Sequence, residues 1–128
     1  MKTRYTVAVS VLAGLAVGAA AVQALHAQAG PPAYVVAEIE VTNLTPYDRE
    51  YVPVAMKAIA DGGGKYIVRG GESAAFYGEP PKGRIAIMAF DSMEDAKAAF
   101  NSPAYKAAKK IGDKYADFRI YAVEGLPR

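Results

Sequence analysis

The chain has 128 residues, one domain's worth, with 15 Lys and Arg against 13 Asp and Glu, a single His and no Cys. With no basic run beyond Lys109-Lys110 there is no electrostatic footprint for phosphates, which excludes a nucleic-acid partner. His26 falls in an N-terminal leader, so Ser-His-Asp and Cys-His nucleophile systems, His-ligated haem and nearly all structural zinc sites are excluded, and neither a metal nor a cofactor is expected.

Lys2 and Arg4 make a positive start, an Ala/Val/Leu/Gly run follows from Val7 to Val22, and Ala27-Gln28-Ala29 has the small-x-small pattern that a signal peptidase accepts. Residues 1–29 are therefore expected to be a signal peptide cleaved before Gly30, placing the protein in the periplasm or outside the cell, with no membrane contact afterwards. The alternative is an uncleaved membrane anchor, because Tyr5 to Leu25 would span ~30 Å as a helix. Alanine and glycine dominate that stretch, which makes it weakly hydrophobic and favours cleavage. Losing Lys2 and Arg4 brings the 15 basic residues to 13, equal to the 13 acids, so the exported chain is formally neutral. Without cysteine it has no disulfide staple, and its apolar core or self-association must hold it.

Residues 30–33, with Pro31-Pro32, read as a linker, 34–125 as the domain and 126–128 as a tail. Tyr34 to Val41 alternates as a strand, with Val35, Ala37, Ile39 and Val41 on the core face and Tyr34, Val36, Glu38 and Glu40 on the other. Thr45 before Pro46 reads as a helix start, and Tyr47, Tyr51, Ala55, Ala58 and Ile59 form an apolar stripe. Pro53, lacking an N–H for the Arg49 carbonyl, predicts a kink or a helix in two pieces. Gly62-Gly63-Gly64 ends that helix, and Tyr66, Ile67 and Val68 favour a strand with Arg69 at its end. A phosphate loop is excluded here, since Tyr66 rather than Ser or Thr follows Lys65 and a helix precedes the glycines.

Ser73 to Tyr77 either extends that strand or adds a short one, and Gly78 to Gly83 reads as an exposed hairpin connection. Arg84 to Phe90 is apolar on both faces, as suits an inner strand. Ser92 caps a second helix whose buried stripe is Ala96, Ala99 and Phe100. Ser102 with Pro103 restarts it, with Ala104, Ala107, Ala108 and Ile111 inward until Gly112. Phe118 to Val123 supplies the last strand.

The order strand, helix, strand, strand, helix, strand predicts an α+β, ferredoxin-like βαββαβ fold: an antiparallel sheet with both helices on one face. With Val35, Ile39, Ile85, Ile87, Phe118 and Ile120 toward the helices, the other face carries Val36, Glu38, Glu40, Ile67, Arg69, Ala86, Met88, Phe90, Arg119, Tyr121 and Val123. That face is too apolar for water and implies a homodimer pairing two such faces, with a cavity between the sheets where Glu38, Arg69 and Tyr121 converge.

Tyr34-Val-Val-Ala-Glu-Ile-Glu-Val-Thr42, the pair Tyr47 and Tyr51, Gly63-Gly64-Lys65-Tyr-Ile-Val-Arg69-Gly70-Gly71, Phe100-Asn-Ser102-Pro103-Ala-Tyr105 and Val123-Glu124-Gly125 together resemble the family catalogued as domain of unknown function 1330. The resemblance covers essentially the whole domain after the leader and implies a dimeric α/β-barrel; the family has no established activity, so no reaction comes with it.

Two functions stay open from the residues. One is a binding or structural module with a small apolar cavity for a small-molecule ligand, Arg69, Arg119, Tyr105 and Tyr121 being the candidate ligand-binding residues. The other is a metal- and cofactor-independent enzyme, of oxygenase or isomerase type, acting on an aromatic or enolisable small molecule. In it Glu38 is the catalytic candidate, shuttling a proton while Arg69 or Tyr121 steadies an oxyanion.

Overall fold

A computed structural model describes residues 30–128, and the export segment expected over 1–29 lies outside them. The domain from Pro31 to Pro127 is a four-stranded sheet covered on one face by helices. Its strands are β1 (Ala33–Val41), β2 (Lys65–Arg69), β3 (Arg84–Phe90) and β4 (Ala116–Glu124), in the order β2-β3-β1-β4 with every neighbouring pair antiparallel. The helices are α1 (Val52–Asp61), α2 (Met93–Phe100) and α3 (Pro103–Gly112). This is the expected ferredoxin-like arrangement, with β1 starting at Ala33, the last residue assigned to the linker.

Alternation orients β1: Ala33, Val35, Ala37 and Ile39 are all buried toward the helices. The register carries that face across the sheet, because directly opposed residues share a side. Val35 lies opposite Met88 and Ala37 opposite Ala86, so Ala86, Met88 and Phe90 point into the core, with Met88 only 2% exposed. The expected placement of Ile85 and Ile87 toward the helices is therefore reversed. Ile85 lies opposite Glu38 and Ile87 opposite Val36, on the open face. In β4, Phe118 and Ile120 oppose Ile39 and Ala37 on the helix side, as expected.

β2 contains a bulge. Tyr66 lies opposite Met88, Val68 opposite Ile87 and Arg69 opposite Ala86, so the chain slips by one residue between Tyr66 and Val68. Tyr66 and Arg69 thereby both reach the helix side, and the expected location of Arg69 on the open face is overturned.

The first helical stretch is in three pieces: one α-turn at Leu44–Pro46, a π-helical turn at Tyr47–Tyr51, and α1. The chain enters from Asn43, in extended conformation, rather than from a Thr45 cap. The Val52 N–H donates to the Tyr47 carbonyl five residues back, and Pro53 sits in the first turn of α1, where a missing N–H costs little. The break expected at Pro53 thus falls just before it. Ser92 and Ser102 cap α2 and α3 as expected, accepting from the N–H groups of Asp95 at 3.1 Å and Tyr105 at 3.2 Å. On α3 the buried face is Tyr105, Ala108 and Gly112, while Ala104 and Ala107, expected inward, are exposed.

Residues 70–83 form an irregular exposed connection, without the strand expected at Ser73 to Tyr77. Gly70 turns the chain out of β2 at φ 70°, a conformation that only glycine adopts freely.

Candidate functional site

A cavity of about 450 Å³ opens between the sheet and the first helical layer. Ala37, Ile39, Ala86, Met88 and Ile120 line it from the sheet, and Tyr47, Tyr51, Ala55 and Ile59 from the π turn and α1. Tyr66, Phe100 and Tyr105 close its sides, while the exposed Asp48, Arg69, Gly70 and Arg84 mark its solvent side.

The π turn and the bulge build this cavity. The first puts Tyr47 and Tyr51 inside with ring centroids 5.1 Å apart, and the second brings Tyr66 and Arg69 to the same side of β2. The Ser102 cap sets Tyr105 in the first turn of α3, with its ring edge-on to Phe100 at 4.5 Å. Across 54 residues of sequence, the Tyr51 and Tyr105 hydroxyls meet at 3.1 Å. A buried phenol needs such a partner, and here one hydroxyl donates to the other.

Burial keeps these phenols protonated. It drives Tyr51 far above the ordinary phenol range, with the neighbouring Tyr105 adding to the effect. Burial also raises Tyr105 and Tyr47, the latter against the opposing pull of Arg84. Tyr66 is pushed up to about 12, again mainly by burial, with Arg69 pulling the other way. At neutral pH the cavity therefore offers hydroxyls that both donate and accept, and no phenolate.

The two arginines at the opening differ. Arg84 lies over the Tyr47 ring at 5.7 Å, with the Asp48 carboxylate 3.7 Å away. Arg69 lies over the Tyr66 ring at 5.9 Å and donates to the Met56 sulfur at 3.0 Å. Among the described residues no carboxylate pairs with Arg69.

Glu38, Arg119 and Tyr121 sit on the opposite face of the sheet. Glu38 and Arg119 are register partners whose side chains pair at 2.8 Å, and the Arg119 guanidinium lies over Tyr121 at 5.1 Å. The expected convergence of Glu38, Arg69 and Tyr121 does not occur. Arg69 joins Tyr105 in the cavity, and the sheet separates them from the other three. Tyr47 and Tyr51, read from the sequence as core aromatics, are core residues that also line the cavity; Tyr66 and Arg84 were not singled out. The signal available was a tyrosine, not a phenylalanine, at each buried aromatic position of the first helical stretch. Among the described residues no group of three or more His, Cys, Asp or Glu could hold a metal ion.

Strand order, antiparallel pairing and a one-sided helical layer over a lined cavity define a ferredoxin-like α+β domain. Residues 32–126 match the family described as Domain of unknown function (DUF1330), and the chain belongs to that family. Among solved structures it is similar to the methylated RPA0582 protein, at 16% identity and a TM-score of 0.58, covering 82% of this chain and 90% of that one. A second structure, described as the RPA0582 protein of unknown function from Rhodopseudomonas palustris, matches at 17% identity and a TM-score of 0.54, covering 82% of this chain and 92% of that one. A dimeric protein of unknown function and ferredoxin-like fold from Bacteroides fragilis matches at 14% identity and a TM-score of 0.46, covering 73% and 96%. No curated protein sequence matches the chain.

Proposed function

We propose that the protein is an exported homodimeric binding module that holds a small molecule in the cavity between its helices and sheet. The cavity carries this reading: at about 450 Å³ it falls within the size range of small-molecule sites, and it joins apolar walls to a few placed polar groups, as such sites do. The dimer is supported by the open sheet face. Val68 is 37% exposed, Tyr121 45% and Val123 54%, beside half-buried Tyr34, Val36, Ile85 and Ile87. A second copy of the same face is self-complementary to it and removes it from water. Export is supported by the leader pattern at 1–29. The enzyme alternative with Glu38 as proton shuttle has less support, since Arg69 and the cavity lie across the sheet from Glu38 and, of the two oxyanion candidates, only Tyr121 shares its face.

Native mass spectrometry of the protein recovered outside the cytoplasm tests all three parts at once. The expected spectrum is a dimer of chains beginning at Gly30 that releases a small molecule on denaturation. A monomer without ligand, or a membrane-bound chain retaining Met1, would contradict it.

A further inference from the structure

We propose that the ligand is a small aromatic carboxylate bearing a ring hydroxyl, its carboxylate held by Arg69 at the opening and its hydroxyl reaching the Tyr51–Tyr105 pair inside; this rests on the binding reading above and specifies its ligand. Arg69 carries the first half. A guanidinium has five N–H donors, and the contact it makes is to a thioether, a weak acceptor. The group lies over Tyr66 at the opening, and with one terminal nitrogen on the Met56 sulfur its Nε and second terminal nitrogen present the edge that a carboxylate would take. Arg84, by contrast, already faces Asp48. Two cations and one anion leave the opening with one excess positive charge, and the partner that fits a guanidinium fork in two parallel hydrogen bonds is a planar carboxylate.

The interior carries the second half. Phe100, Met88 and the Tyr66 ring give apolar and aromatic walls that suit a flat ring. When one hydroxyl of the Tyr51–Tyr105 pair donates to the other, the second O–H remains to donate outward, and lone pairs remain to accept. A ligand hydroxyl, which both donates and accepts, satisfies that pair in either orientation. A purely apolar end would leave the spare donor unmatched.

Calorimetric titration of the purified dimer with para-hydroxybenzoate, its neutral amide and benzoate tests this. Para-hydroxybenzoate should bind about tenfold or more tightly than the amide, the factor a charge-assisted contact supplies. That preference should collapse in Arg69→Gln, whose exposed position leaves the melting temperature unchanged. Benzoate should bind about twofold to tenfold more weakly than para-hydroxybenzoate, and the gap should close in Tyr105→Phe. Equal binding of acid and amide, or a preference untouched by Arg69→Gln, overturns the assignment while leaving the cavity a binding site. A co-purifying molecule in the native mass spectrum, with none of the three probes binding, likewise overturns the carboxylate and spares the binding reading. No co-purifying molecule and no binding of any probe overturns both.

Discussion

Replacing Ile87 with Asp tests the proposed dimer separately from the fold. Ile87 lies in a row that crosses all four strands on the open face: Val68 opposite Ile87, Ile87 opposite Val36, Val36 opposite Tyr121. Fully burying such a side chain is worth about 1.5–3 kcal/mol, and with less than half of Val68 and Tyr121 exposed, each has roughly 0.5–1.5 kcal/mol left to gain. Val68 and Tyr121 then supply roughly 1–3 kcal/mol per subunit and the half-buried Ile87 and Val36 less. The row gives several kcal/mol per dimer against an association cost of about 4–15 kcal/mol, so Tyr34, Ile85 and Val123 on the same face must contribute as well. Any surplus is therefore small. A carboxylate buried in each copy costs several kcal/mol and exceeds it. Sedimentation velocity at micromolar concentration should show wild type as a dimer and Ile87→Asp as a folded monomer with native circular dichroism. Met88→Asp, one residue along and 2% exposed, should instead fail to fold because its charge enters the core. A monomeric wild type, a dimeric Ile87→Asp, or a folded Met88→Asp would refute the reasoning.

Other consequences follow from the cavity and its supports. Tyr51→Phe removes one partner of the buried hydroxyl pair and should cost about 0.5–1.5 kcal/mol, a fall of several degrees in melting temperature, and the double variant with Tyr105→Phe should cost less than the two singles together. Tyr66 has a folded-state pKa of about 12, above the unfolded phenol value of about 10, so its contribution to stability is fully present below about pH 10 and is lost as pH rises through about 12. Denaturant midpoints measured across that window should fall, and the fall should be smaller in Tyr66→Phe. Gly112→Ala should destabilise by about 1–3 kcal/mol, because the new Cβ would lie 2.7 Å from the Tyr51 ring and 2.8 Å from Phe118, whereas Gly71→Ala, with nothing within 4 Å, should leave the melting temperature nearly unchanged.

The fold was legible from the sequence wherever a residue broke a symmetry. Glu38 and Glu40 in β1, and Asp117 and Arg119 in β4, show which side of each strand faces the core, and both strands were oriented correctly. Arg84 to Phe90 holds apolar residues on both sides, so alternation carries no information about which side is inward; the register with β1 decides it. β2 departs from its pattern for a different reason. Its period of two is interrupted by the bulge, which carries no local sequence mark, and everything after it changes face. Those two features place Met88 and Arg69 on the helix side of the sheet, where the cavity within the subunit lies. The helix caps at Ser92 and Ser102 were legible because capping is a contact between residues three apart. The Tyr51–Tyr105 pair joins positions 54 residues apart and had no local signature.

The π-helical turn at Tyr47–Tyr51 gives the cavity a way to change. Such a turn is an α-helix carrying one residue too many, and deleting a single exposed residue within it, such as Arg49, would let an ordinary helix close over the gap. The segment ahead of the deletion would rotate by about 100° relative to α1, carrying Tyr47 and Asp48 off the cavity wall while Tyr51, Ala55 and Ile59 stayed in place. One inner wall and one charge at the opening are therefore coupled to chain length at a single point. An insertion or deletion there would reshape the cavity and leave the sheet and its open face untouched.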